Sequence, residues 1–393
     1  MATTAEQMRA HAGPAILTGG FRPFFLFGAM WAAIAVVLWI PMFEGHFALP
    51  SAFSALDWHV HELLYGYAAA AVAGFLLTAI PNWTGRLPVV GRPLGLLVAL
   101  GGAGRIAVLI SAVIGAWAAA AIDVGFLVVL TALTGREVWT GKNWRNLRVV
   151  GLVALFAVGN LVFHVEAVTR GTASYGQRIG IAAAVVLIAL IGGRIVPSFT
   201  MNWLRPRGPG AMPVPFARFD AVVIAASSVA LAAWVVLPDH RATGAGLVAA
   251  GVLQAVRLWR WAGWRTAGEK LVLVLHVAYL FVPVGFLLLG GVILGVVPML
   301  ASAALHAWTV GAIGMMTLAV MTRASLGHTG RQLTANRVVQ VIYLGAFVAT
   351  VARIAMGMGR AEFVFLHLAL VGWLVAFAGF AFAYFPILTR PRR

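Results

Sequence analysis

The chain has 393 residues, 62% of them hydrophobic and only 10% charged. That excludes a water-soluble globule, whose composition needs about a quarter charged residues. Cysteine is absent, which excludes disulfides, thiolate-held metals and iron–sulfur clusters, and although the net charge is +17, its basic residues are spread over short loops, which speaks against a nucleic-acid surface.

In chain order, a polar tail over 1–22 with Glu6 and Arg9 precedes an apolar segment at 24–42. This segment has no small-residue cleavage site before Pro41, so it is expected to be a retained helix rather than a signal peptide. Further apolar segments follow at 58–80, 93–112, 115–134, 147–166, 179–203, 217–237, 243–260, 270–295, 299–322, 338–357 and 361–386. Each has the roughly 20 residues that cross a hydrocarbon core about 30 Å thick as a helix. The expected fold class is an all-α polytopic membrane protein of about twelve transmembrane helices, with 1–393 forming a single integral membrane domain surrounded by lipid.

Placing the N-terminus inside puts Arg86, Arg92, Arg136, Lys142, Arg145, Arg148, Arg205, Arg207, Arg218, Arg257, Arg260, Arg265, Lys270, Arg323, Arg331, Arg337, Arg390, Arg392 and Arg393 on one face. The other face carries Arg170, Arg178, Arg241 and Arg360 beside Glu44, Asp57, Glu166 and Asp239. The positive-inside rule then predicts an inner-membrane protein with both termini cytoplasmic.

A repeat runs through the segments. Asn82-Trp83 ends the second, Asn202-Trp203 ends the sixth, and a weaker match, Thr322-Arg323 followed by Gly327-His328-Thr329-Gly330-Arg331, ends the tenth. The period predicts three four-helix units, about 23–145, 146–266 and 267–393, in a pseudo-threefold ring. Such a period lowers the expectation of a secondary transporter, whose repeats are more often inverted.

Polar residues inside the segments carry the chemistry, because each needs a partner or a role there. Ten histidines occur, and His59, His61, His164, His276, His306 and His367 fall within or at the ends of predicted helices. Without cysteine they are the strong ligands open to a transition metal. His59 and His61 are two apart and point about 200° from one another on an α-helix, so they do not share one ion. Glu62 shares a face with His59, and Tyr65 with His61, as supporting hydrogen-bond partners.

Arg105 and Asp123 are expected to pair with each other, the alternative being a role in holding an anion. Arg194 follows Gly192-Gly193, which leaves room for another helix or a flat cofactor. His276 and Tyr279, near Pro283, form a second candidate pair, and His306 is followed by Gly311 and Gly314. Met315, Met316 and Met321 are read as packing. Of His11, His46, His240 and His328, three are read as plain exposed residues of the tail and loops.

Gly20-Phe21-Arg22-Pro23-Phe24-Phe25, Trp58-His59-Val60-His61-Glu62, Ala79-Ile80-Pro81-Asn82-Trp83-Thr84-Gly85-Arg86, Gly192-Gly193-Arg194 and Gly327-His328-Thr329-Gly330-Arg331 resemble, in this order, the motifs of the NnrS family. The resemblance implies a bacterial cytoplasmic-membrane protein with haem and copper, linked to nitric oxide metabolism, denitrification and tolerance of nitrosative stress. It does not fix a reaction or a redox partner. The four-helix period also resembles subunit I of the haem–copper oxidases. This chain lacks the His-His pair of that subunit's seventh helix and any His in the sixth, so the oxidase-type binuclear centre is not carried over.

The combined expectation is a haem b held by His61 or His59 and by His306. Arg194 faces a propionate or a water-filled cavity, and copper or a second haem uses some of His164, His276 and His367. The expected function is nitric oxide binding or detoxification, against a sensor with the same cofactors or a cofactor-free transporter.

Overall fold

The structure is a computed structural model that describes residues 13–359 and 361–392, so Glu6, Arg9, His11, Arg360 and Arg393 lie outside the described residues. Among the described residues, twelve helices are long and apolar enough to span a membrane. They are α1 (Phe21–Phe43), α2 (Ala55–Thr84), α3 (Arg92–Leu109), α4 (Ala116–Thr140), α5 (Trp144–Arg170), α6 (Tyr175–Arg207), α7 (Arg218–Val236), α8 (Arg241–Trp259), α9 (Lys270–Leu294), α10 (Ala301–His328), α11 (Arg337–Met356) and α12 (Glu362–Thr389). Among the described residues there is no strand, as lipid demands of a chain that satisfies its backbone within each segment. The chain is a multi-pass membrane protein.

Several helices are finished by polar caps. Ser54 caps α2 by accepting the Asp57 N–H at 3.1 Å, and Gly85 closes its far end in the left-handed region at φ 69°. Asn336 caps α11 through the Val339 N–H at 3.0 Å. His240, expected among the loop histidines, caps α8 by accepting the Ala242 N–H at 3.2 Å. Two stretches depart from α geometry: Glu62–Ala68 within α2 and Ala307–Met315 within α10 are π-helical. Each begins one residue after a histidine, His61 or His306.

The chain divides into two compact units. The first comprises Met1–Ala183, Ala324–Arg331 and Phe380–Arg393. Within it α1 packs on α2, α3 on α4, and α4 on both α2 and α5. Arg22, from the Gly20-Phe21-Arg22 motif, is buried in the first turn of α1. Its Nη1 donates to the carbonyls of Leu388 at 2.9 Å and Arg390 at 2.7 Å, satisfying the open end of α12 with a cation. The Phe21 ring lies 5.4 Å from that of His328, so two of the sequence motifs meet.

The second unit comprises Ala184–Arg323 and Gln332–Gly379. There α7 packs on α8, α8 on α9, and α10 on α9 and α11. Glycines let the backbones close up: a methyl on Gly345 of α11 would stand 2.7 Å from the Gly372 carbonyl of α12, and the reverse holds equally.

Candidate metal centre

His61 lies where the α-helical start of α2 gives way to its π segment, and it is completely buried. Its Nδ1 is 3.0 Å from Glu62 Oε1, while its Nε2 is 2.9 Å from Asn160 Oδ1 and 3.1 Å from Asp123 Oδ2. His164, one turn beyond Asn160 on α5, brings its own Nε2 to 3.0 Å from the same Asp123 oxygen. Donor atoms of His61, Asp123 and His164 thus all lie within 4.8 Å of one another, each residue buried, in a group able to hold a metal ion.

The surrounding residues fix these three. Arg105 of α3 donates through Nη1 to Glu62 Oε2 at 2.8 Å and pairs through Nη2 with Asp123 Oδ1. Trp31 of α1 donates its indole N–H to Glu62 Oε2 at 2.7 Å, and Asn160 Nδ2 donates to Asp123 Oδ2 at 2.8 Å. Phe53, Phe163 and Tyr65 close over the imidazoles, with ring centroids 5.1, 5.2 and 5.6 Å from that of His61. The Tyr65 hydroxyl donates to the Gly176 carbonyl at 2.6 Å.

Two features of this arrangement leave it open to one further positive charge. A neutral imidazole has one N–H, yet both nitrogens of His61 face oxygen acceptors, so one side sets lone pair against lone pair. Glu62 and Asp123 also bring two negative charges against the single positive charge of Arg105, and uncompensated charge in a membrane interior is expensive. A proton or a metal ion on the Nε2 side would each answer both, and with a metal there the Nδ1–H would donate to Glu62, an arrangement that sets tautomer and ring orientation.

The remaining expected site residues fall elsewhere. Glu62, expected to support His59, instead holds His61. A π turn advances fewer degrees per residue than an α turn, which lets neighbouring side chains converge. Tyr65 meets His61 by its ring, its hydroxyl being committed to the Gly176 backbone. His59 points away and stacks on Trp39, centroids 3.9 Å apart.

In the second unit, His306 sends Nδ1 to the Ser302 carbonyl at 2.5 Å and Nε2 to Arg353 Nη2 at 2.8 Å. His276 and Tyr279 take different partners. His276 Nε2 meets Thr200 Oγ1 at 2.8 Å, whereas the Tyr279 hydroxyl donates to Gln254 at 2.8 Å and accepts from Arg257 at 2.9 Å. The space expected beside Gly192-Gly193 is filled, since a methyl on Gly192 would stand 3.2 Å from the Tyr279 ring and one on Gly193 would collide with Arg257. Arg194 is half-buried on α6. His367 is half-buried, with Nδ1 2.9 Å from the Phe363 carbonyl one turn back.

Asn160 and Trp31 escaped the sequence reading. Asn160 left a usable signal, an amide inside an apolar segment four residues before His164 and therefore on its face of the helix. Trp31 left none, being one of 14 tryptophans.

The family model described as NnrS protein matches residues 15–392. Among curated proteins no match to the chain is found.

Proposed function

The chain belongs to the NnrS family, and on that premise we propose that it holds a metal ion on His61, Asp123 and His164 and uses it to bind or remove nitric oxide in a bacterial cytoplasmic membrane. The observation that carries this reading is the meeting of the three donor residues from α2, α4 and α5 in a buried group where two carboxylates face the single guanidinium of Arg105.

Two imidazoles and a carboxylate are borderline donors that suit copper, iron or zinc, and copper, which the resemblance implies, is the ion we assign. Bound there, copper would supply an open position for a diatomic ligand and one-electron exchange with it. The protein's own residues do the rest. Glu62 orients His61, Arg105 and Asn160 hold Asp123 toward both imidazoles, and Phe53 and Phe163 keep water away. Nitric oxide is uncharged and reaches such a site through lipid without a polar channel.

Haem b fits the residues less well. His306 has both ring nitrogens engaged, and the strip beside Gly192-Gly193 is occupied by Tyr279 and Arg257, so no step is assigned to haem. The three four-helix units remain a proposal, supported by the two π segments that follow His61 in α2 and His306 in α10. The basic loops and the acidic opposite face support cytoplasmic termini.

The test is metal content per chain in purified protein, with spectra before and after nitric oxide. About one copper per chain is expected, lost in Asp123→Ala and His164→Ala and accompanied by a spectral response to nitric oxide. Copper content unchanged in both variants would overturn the assignment. A Soret band surviving in them would place haem on other histidines.

A further inference from the structure

Asn160 of α5 meets two of the three donors of the centre, each with a different atom of its amide. Its Nδ2 donates to Asp123 Oδ2 at 2.8 Å, and its Oδ1 lies 2.9 Å from His61 Nε2. Which end faces which follows from chemistry. A carboxylate only accepts, and the pairing with Arg105 keeps Asp123 a carboxylate, so the NH2 faces Asp123 and the oxygen faces the imidazole. Asn160 is completely buried and shares a face of α5 with His164, one turn on.

The amide oxygen therefore relies on the N–H that His61 carries on Nε2, and among the described residues no other group donates to it. A metal ion on Nε2 takes that N–H away, because an imidazole binds a metal through a deprotonated nitrogen. The oxygen would then be a buried acceptor with no donor, which costs more than an ordinary hydrogen bond gains. Rotating the side chain brings no relief, since it pulls the NH2 off Asp123. The ion itself supplies what the imidazole gives up, an amide oxygen being a metal ligand in its own right.

We infer, resting on the copper site proposed above, that Asn160 Oδ1 is a fourth donor to the ion, completing a set of two imidazoles, one carboxylate and one amide that selects the cupric over the cuprous ion. Nitrogen and oxygen donors in fours suit copper(II), and the soft thiolates that suit copper(I) are missing from a chain without cysteine. As the uncharged oxygen of the set, the amide is also the donor that gives way most readily to an incoming diatomic, which keeps a position open to nitric oxide. The rival account gives Asn160 a positioning role alone, with Nδ2 steering Asp123 and Oδ1 idle. The two accounts part on a single substitution.

The test uses the purified full chain, with cupric and cuprous affinities each read by chelator competition, the cupric resonance by electron paramagnetic resonance, and helix content by circular dichroism as a check on folding. Asn160→Leu, of the same branched shape, should lower cupric affinity several-fold, leave cuprous affinity unchanged and shift the cupric resonance. Asn160→Asp keeps an oxygen donor while losing the N–H to Asp123 and setting two carboxylates together. It should hold cupric affinity at or above that of the unaltered chain. A fall in Asn160→Asp at least as large as in Asn160→Leu, or a cupric resonance unmoved in Asn160→Leu, would overturn the inference and leave the copper site standing; the second of these decides alone should Asn160→Asp not fold. An unaltered chain that takes up no copper would instead overturn the reading beneath it.

Discussion

Asp123 has more claimants than any other side chain of the centre: Arg105 on one oxygen, and Asn160, His61 and His164 on the other. The sequence reading weighed a structural pairing with Arg105 against a role in holding an anion; the pairing is present, and it leaves the second carboxylate oxygen to Asn160, His61 and His164. Supporting hydrogen bonds to metal ligands are worth about 10–100-fold in metal affinity. Glu62→Gln, which removes the charge behind His61, is therefore expected to weaken copper binding by that factor, measured by competition with a chelator, while leaving all three ligands in place. Asn160→Ala is expected to weaken it by less, since Arg105 still holds Asp123. His61, Glu62, Arg105, Asp123 and His164 were each conspicuous in the sequence, because ionisable groups stand out in apolar segments. Their grouping was not, because spacing along a chain relates only residues of one helix, and this cluster is assembled from four.

The π segment of α2 places His61 and Glu62 side by side, and Gly66 inside it gives Arg105 its way in. A methyl at Gly66 would stand 2.6 Å from Arg105 Nη1 and 3.1 Å from both Glu62 Oε2 and the Trp31 indole nitrogen. Gly66→Ala is expected to lower stability by about 1–3 kcal/mol and to reduce bound copper with it, read from thermal unfolding in detergent together with metal content. An unaltered metal content would mean that Arg105 is not needed on Glu62. The twelve spans were legible because hydropathy integrates over a whole crossing. The π turns were not, since a helix apolar on every side has no polar stripe from which a change of winding can be read.

At the scale of the whole molecule, the alternation of basic and acidic loops makes a direct prediction about sidedness. Because the chain has no cysteine, single cysteines report without background. Asp239→Cys is expected to react with a membrane-impermeant maleimide in intact cells, and Arg145→Cys only after permeabilisation; the reverse pattern would invert the topology. The division into two units was not legible, as hydropathy says which stretches cross the membrane but not which helix each one packs against. Arg22 adds a constraint on biogenesis. Its guanidinium is made with the first span, yet its acceptors at Leu388 and Arg390 follow only after eleven more have been threaded into the bilayer. Until then a nascent chain carries an unquenched cation that a quality-control protease can recognise, so a stop codon shortly before Ile387 should shorten the protein's lifetime far more than the loss of a few terminal residues would imply.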